Sequence, residues 1–311
     1  MAAKKDATVF IDGEAGTTGL QIADRLAGLK GVSVKSIDAK LRKDAGARKQ
    51  LMSEVDLIVL CLPDDAAKEA VALADELGRK APKIVDASTA HRVAPGWVYG
   101  FAELDHEQAD KIRKAPRVAN PGCYPTGAIA LLRPLVDAGI VPKDHPITVS
   151  AVSGYSGGGK SMIESYEVTK TAPSFELYGL GLEHKHVPEL MAYARLERRP
   201  IFVPSVGNFK QGMLVSVPLH LDQLKGTPRL KDIEAVLSKH YAGSNTVRVV
   251  PNATSITRLE AEALNGTDTL ELFVFGKDSL NHAVLVARLD NLGKGAAGAA
   301  VQNLKLMLGL N

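Results

Sequence analysis

The sequence predicts an α/β protein built from a doubly wound, mainly parallel sheet domain and an α+β domain whose sheet is mostly antiparallel. Three observations predict it. Short apolar runs bounded by glycine or proline alternate with helical stretches over the first third of the chain. From Ile147 to Ala287 strand-like runs follow one another with few long helices between them. The chain then ends in a Gly- and Ala-rich helical stretch. Alternation of strand and helix implies parallel βαβ units, whereas clustered strands imply a second, separately built domain.

Taken in order, Ala7–Ile11 is apolar and partly β-branched, as a strand buried on both faces must be. Gly13-Glu14-Ala15-Gly16-Thr17-Thr18-Gly19 follows it, and Leu20, Ile22, Ala23, Leu26 and Ala27 then recur at helical spacing. Val32–Ile37 reads as a second strand and Val55–Leu62 as a third, with Pro63-Asp64-Asp65 opening the next helix. Lys83–Asp86 and Arg117–Asn120 complete the set. In the later region Ile147–Val152, Ile201–Val206, Met213–Leu219, Val247–Val250, Leu270–Phe275 and Ala283–Ala287 read as strands, and Leu292–Leu308 as a terminal helix.

Composition narrows the function classes. A chain of 311 residues with 45% hydrophobic and 23% charged residues is long enough for two cores and ordinary for a globular protein. A net charge of +3, spread along the chain, argues against a dedicated nucleic-acid binder. Two cysteines cannot make a disulfide framework, so the expected compartment is the cytoplasm. Met1-Ala2-Ala3-Lys4-Lys5-Asp6 has no apolar leader core, and no stretch is long enough to cross a bilayer, so no membrane association is expected.

In a doubly wound sheet, ligands bind beyond the carboxyl ends of the strands. That rule puts the Gly13 loop, Leu62-Pro63, the Ser88 loop and the chain after Asn120 on one edge. Gly13, Gly16 and Gly19 depart from the usual G-x-G-x-x-G spacing. They still meet the demands of a tight turn, backbone close to a pyrophosphate, and helix packed on strand, with Thr17 and Thr18 at the helix mouth. A plain βα turn is the alternative. Asp38, placed at the end of the second strand, suits the free 2′-hydroxyl of NAD; Arg42 and Lys43 suit the 2′-phosphate of NADP. Residue types leave that choice open.

Cys123 is the strongest chemical signal. It stands in Asn120-Pro121-Gly122-Cys123-Tyr124-Pro125-Thr126-Gly127, directly before an apolar helical run. A thiolate there is stabilised by unpaired N–H groups and the positive end of the helix dipole, and the same groups can hold an oxyanion. A small buried residue at a strand–helix junction is the bland alternative. His184 and His186, either side of Lys185, offer the proton carrier that a thiolate nucleophile needs. Spacing does not choose between them, and with no third ligand nearby a metal site is not expected. Ser153, Tyr155, Ser156 and Lys160 belong to a glycine-rich loop suited to a phosphate or carboxylate, and Arg92 is placed to face the same crevice.

Together these segments resemble the short-form N-acetyl-γ-glutamyl-phosphate reductases of arginine biosynthesis. The resemblance runs through the Gly13 loop, Leu62-Pro63-Asp64, Asp86–Arg92, Asn120–Thr126, the Ser153 loop, His184-Lys185-His186-Val187-Pro188-Glu189 and Leu289–Ala296. It implies a Rossmann-type domain over residues 1–122 and 290–311 that binds NADP(H), placing Asn291 and Gly295 near the nicotinamide. It implies a catalytic and oligomerisation domain over 123–289, in a homo-oligomer (dimer or tetramer). It also implies an acyl-phosphate substrate with inorganic phosphate as co-substrate, Asn120 and Glu189 as substrate-binding residues, and a thioester on Cys123. Lys160 departs from the arginine expected at its position. Aspartate-semialdehyde dehydrogenase or aminoadipyl-phosphate reductase chemistry is the nearest alternative, since one methylene is worth only about 1–3 kcal/mol in a pocket. A dinucleotide-binding regulator without chemistry is the alternative of another class.

Overall fold

A computed structural model describes residues 6–310. Met1–Lys5, the part of the N-terminus read above as lacking a leader core, lies outside the described residues. The chain forms two compact units: the described residues up to Ala102 with Glu107–Pro121 and those from Ala296 onward, and Glu103–His106 with Gly122–Gly295.

The first unit runs β1 (Ala7–Asp12), α1 (Thr17–Ala27), β2 (Val32–Lys35), α2 (Ala45–Met52), β3 (Leu57–Leu60), α3 (Asp64–Asp75), β4 (Lys83–Asp86), β5 (Val98–Tyr99), α4 (Gln108–Lys114) and β6 (Arg117–Ala119). The six strands lie in the order β2-β1-β3-β4-β6-β5, and every pairing is parallel. The period of two sorts the side chains. Val9, Ile11, Leu57 and Val59 pack on one face with Ile22 and Leu26 of α1. Phe10, Ile58 and Leu60 pack on the other with Met52 of α2 and Ala67, Ala70 and Val71 of α3. Strand order reverses at β1, so the switch point lies between β1 and β3.

The second unit contributes α5 (Cys123–Asp137), β7 (Thr148–Gly154), α6 (Gly159–Glu167), β8 (Phe175–Leu177), α7 (Val187–Ala194), β9 (Ile201–Gly207), β10 (Met213–His220), α8 (Leu230–His240), β11 (Val247–Val249), β12 (Leu270–Lys277) and β13 (His282–Leu289). Its sheet, β11-β12-β13-β10-β7-β9-β8, is mixed: the β11–β12 and β7–β9 pairings are parallel and the other four antiparallel. Helix α5 is buried from Tyr124 to Val136, which its almost uniformly apolar sequence requires. A Cβ on Gly127 would stand 2.9 Å from Val215 of β10, so glycine lets this helix lie close on the sheet.

Two expectations need correction. Asp38 does not end the second strand: β2 stops at Lys35, the last residue paired with β1, and the Asp38 carboxylate accepts from the Lys40 N–H in a turn. The terminal helix does not start at Leu292; Gly293–Ala297 is a π turn and α9 spans Gly298–Leu308. Ala300, Leu304 and Met307 of α9 join the core cluster of Val9 and Ile11. The short strands β5 and β8 were not foreseen.

Candidate functional site

Around the switch point of the first unit, Gly13 adopts φ +90°, and a Cβ there would overlap the Cys61 carbonyl oxygen beyond β3. A Cβ on Gly19 would overlap the backbone of Gly13, so helix α1 starts hard against the strand end. Gly16 caps α1 with no side-chain hydrogen bond, which leaves the first-turn N–H groups of Thr17, Thr18 and Gly19 available to an anion. Leu62 touches the same turn, its Cδ2 lying 3.1 Å from where a Gly13 Cβ would sit, and Pro63 caps α3. Only glycine can form this turn, and its geometry meets the demands of a pyrophosphate cradle. Arg42 and Lys43 lie exposed in the turn after β2, whereas the Asp38 carboxylate is folded back on its own turn. That favours a 2′-phosphate over a free 2′-hydroxyl.

Buried ion pairs brace this edge. Arg48 donates through Nη2 (2.6 Å) and Nε (3.0 Å) to Asp12 at the end of β1; burial raises the Asp12 carboxyl above its usual range, against the pull of Arg48. Asp86 at the end of β4 accepts from Ser88 N–H and Oγ and lies 2.6 Å from His91 Nδ1, while His91 stacks on Trp97 at 4.3 Å. Arg92 is buried and donates to the carbonyls of Asn120 (3.0 Å) and Ala87 (3.2 Å). Asn120 donates to Ala296 O, and its Oδ1 accepts from Asn303.

In the second unit Cys123 is the first residue of α5, half-buried, with Gly122 as an N-cap that offers no side chain. The N–H of Gly122 donates to Glu189 Oε1 at 2.7 Å, so the buried carboxylate of Glu189 fixes the turn that presents the thiol. Pro125 has no N–H to leave unpaired, and Thr126 Oγ1 closes the turn on Gly122 O. Gly295 supports the thiol from another side: a Cβ there would stand 3.0 Å from that of Cys123.

His184 is enclosed by rings. Centroids of Tyr178, Phe202, His186 and Tyr124 lie 5.6, 5.0, 4.8 and 6.2 Å from its own. Its Nδ1 accepts from the His186 N–H at 3.2 Å, which places the proton of the neutral ring on Nε2. Burial, with Lys185 adding to it, pushes the His184 pKa down to about 4. His186 is the N-cap of α7 and is buried against Tyr124, ring to ring at 5.9 Å. Tyr124 donates to Ser205 O, anchoring the first turn of α5 to β9.

The Ser153–Lys160 loop is held largely by its neighbours. Ser153 donates to Gly154 O, Ser156 accepts from Asn291 Nδ2, and Tyr155 stacks on Tyr166 while donating to Glu167. Lys160 is exposed in the first turn of α6. Asn291 also accepts from the Gly212 N–H, so both ends of its amide serve the second unit. Sequence reading missed Tyr178, Phe202, and the part-buried Lys294–Glu103–Thr246 cluster; the rings carry no motif, and the cluster joins residues far apart in the chain. Among the described residues no His, Cys, Asp or Glu group gathers as a metal site would need, and no helix is long and apolar enough to cross a membrane.

Neither cysteine is in a disulfide. Burial first, then Asp86 and Asp12, push the Cys61 thiol up to about 12. Iodoacetamide at pH 7.5 is therefore expected to carboxamidomethylate Cys123 and spare Cys61, as read by peptide mass spectrometry. Faster modification of Cys61 in the folded protein would overturn that reading.

Residues 9–112 match the family model described as semialdehyde dehydrogenase, NAD binding domain, and residues 123–291 match semialdehyde dehydrogenase, dimerisation domain. Aspartate semialdehyde dehydrogenase II of Vibrio cholerae, in complex with ASA, superposes with TM-score 0.73 over 98% of this chain and 99% of its own, at 16% identity. The Francisella tularensis aspartate semialdehyde dehydrogenase gives 0.73 over 97% and 100%, at 13%. These likenesses concern the fold. Sequence similarity goes further. The N-acetyl-gamma-glutamyl-phosphate reductase of Sinorhizobium fredii is 55% identical over 305 residues, 96% of this chain and 98% of that protein. That of Brucella ovis is 54% identical over 308 residues, 97% and 98%. With two domain models matched in order and more than half of all positions shared with full-length relatives, the chain belongs to the semialdehyde dehydrogenase family and, within it, to the N-acetyl-gamma-glutamyl-phosphate reductases.

Proposed function

We propose that the chain reduces N-acetyl-γ-glutamyl phosphate to N-acetylglutamate 5-semialdehyde with NADPH, releasing inorganic phosphate, through a thioester on Cys123. The observation that carries the reading is the helix-mouth thiol of Cys123 in one unit with a ring-enclosed imidazole whose tautomer is fixed. The thiolate of Cys123 attacks the γ-carbonyl carbon, the C–O bond to phosphate breaks, and phosphate departs with that electron pair. The positive end of α5 stabilises the oxyanion of that step. NADPH, when bound, supplies a hydride to the thioester carbon. His184 hydrogen-bonds that oxygen through Nε2–H as it becomes negative and keeps its proton, a neutral imidazole acting as electrophile. The electron pair of the oxygen then re-forms the carbonyl, the C–S bond breaks, the aldehyde forms and the Cys123 thiolate is restored. The net proton taken up leaves on the phosphate.

Of the two histidines, His184 is assigned this role because its Nδ1 is already occupied and its ring is half-buried, whereas His186 caps α7. Glu189 acts on the turn before Cys123. Ser153, Tyr155, Ser156, Lys160, Arg92 and Asn120 are proposed around the substrate. Gly13, Gly16, Thr17, Thr18, Gly19, Leu62, Pro63 and Ser88 are proposed around the dinucleotide, with Arg42 and Lys43 on its 2′-phosphate. The nucleotide domain is proposed to span 1–122 and 290–311, and residues 123–289 to carry catalysis and a homo-oligomer interface, in the cytoplasm.

The test is reduction of NADP⁺ and of NAD⁺ by N-acetylglutamate semialdehyde, with and without phosphate, beside aspartate semialdehyde. Phosphate-dependent turnover of the acetylated aldehyde with NADP⁺ is the expected result. Turnover of aspartate semialdehyde alone would overturn the substrate and keep the chemistry.

A further inference from the structure

We propose that Tyr178 is a positioning residue of this site: its ring closes the box that keeps the His184 imidazole dry and in one orientation, and its hydroxyl ties that wall to Tyr124, the neighbour of Cys123. The inference rests on the reading of His184 given above.

Tyr178 lies one residue past β8, the edge strand of the mixed sheet, and its N–H donates to Pro204 O of β9. Its flanking residues Leu177 and Leu180 are exposed, while Tyr178 turns inward. Its hydroxyl donates to Tyr124 Oη at 3.2 Å, and Tyr124 donates in turn to Ser205 O at 3.0 Å. The chain of bonds joins β8, the first turn of α5 and β9. Burial pushes the Tyr178 phenol up to about 12, so it stays a neutral donor across the working range.

The ring does the second job. Tyr178 meets His184 at 60° with centroids 5.6 Å apart, and Phe202 closes the box at 83°. On the same segment Gly179 lies beside the imidazole: a Cβ there would stand 3.4 Å from His184 Cδ2. The titratable and charged groups against it are Lys185 and His186 on its own segment, Tyr124 of α5 and Tyr178 itself; nearby along the chain, Arg199 pairs with Glu183 and reaches the Leu182 carbonyl. Of these Lys185 opposes a second proton on His184, and desolvation, the larger cause, acts in the same direction. Opening the box admits water and favours the imidazolium. An imidazolium cannot accept the His186 N–H at Nδ1, so the ring would lose its tether as well as its neutrality.

The experiment is an NMR titration of the His184 side chain and the pH dependence of turnover in the wild type, Tyr178→Phe and Tyr178→Ala. Tyr178→Leu takes the place of alanine if the latter does not fold. The expected result is a His184 midpoint that moves from about 4 toward 6.5 in Tyr178→Ala. Turnover at pH 5.5 relative to pH 8 should then fall about tenfold against the wild-type ratio. Tyr178→Phe should keep the wild-type titration. An unmoved His184 midpoint in Tyr178→Ala overturns the inference, as does an equal loss of turnover at every pH. A midpoint that moves while the turnover profile does not supports the box and overturns the assignment of His184 to the reaction.

Discussion

Cys123→Ser is expected to lower phosphate-dependent turnover by roughly a thousandfold or more while leaving NADPH affinity and the melting temperature unchanged. The oxygen is smaller than sulfur, fits the half-buried position and disturbs none of the hydrogen bonds that shape the turn. What it lacks is an anion. A helix mouth lowers the pKa of a thiol toward the working range, but it cannot do so for an alcohol that starts many powers of ten weaker as an acid. The comparison also separates an enzyme from a regulator. Activity that survives the substitution would remove Cys123 from the reaction. Turnover lost with NADPH titration and melting both intact places the defect in the chemical step. Steady-state rates, fluorescence titration of NADPH and a thermal melt on one preparation measure all three.

How much of this could be read from residues alone depended on the range of the interaction. The first unit was legible because buried parallel strands must be apolar throughout: Val9, Phe10 and Ile11 serve opposite faces of one strand, so no polar residue can interrupt them. Strands β5 and β8 have two and three residues, too few for any period to show. Cys123 was legible because its signals are local, a Pro-Gly turn and a helix start within five residues. The bond from the Gly122 N–H to Glu189 spans 67 positions, and that from Lys294 to Glu103 spans 191. No motif carries such a distance. Asn291 and Gly295 show the same gap. The resemblance implies that both lie near the nicotinamide; the structure adds that the Asn291 amide bonds Gly212 and Ser156 and that Gly295 rests against Cys123. Glycine here is a demand for space beside the thiol, and that demand is visible only once the turn is folded.

Lys294→Met is expected to cost about 3–5 kcal/mol, because it removes the counter-charge of the largely buried Glu103 carboxylate. Lys294 is 1% exposed; its Nζ lies 2.7 Å from Glu103 Oε2 and 3.2 Å from Thr246 Oγ1. At that size the melting temperature should fall by about 10 °C. Adding Glu103→Leu removes the stranded charge, and an apolar pair of similar volume commonly restores most of the stability that a broken buried ion pair loses. Catalysis should not follow. Lys294 lies in the π turn whose next residue, Gly295, donates to Asp290 O and rests against Cys123. Asp290 is held in turn by Gln211, Gly266 and Leu292, and Ala296 O accepts from Asn120, so both ends of the turn are pinned without the lysine, which fixes its middle. An apolar pair fills the space but has no directional bond to set the register of that middle. The double variant is therefore expected to melt near the wild type and still turn over at least tenfold more slowly, a rate loss of the kind produced when a reacting group moves by a fraction of an ångström. Melting temperature and turnover recovering together would mean that the ion pair serves stability alone; the single variant melting as the wild type would mean that the pair is not needed for stability.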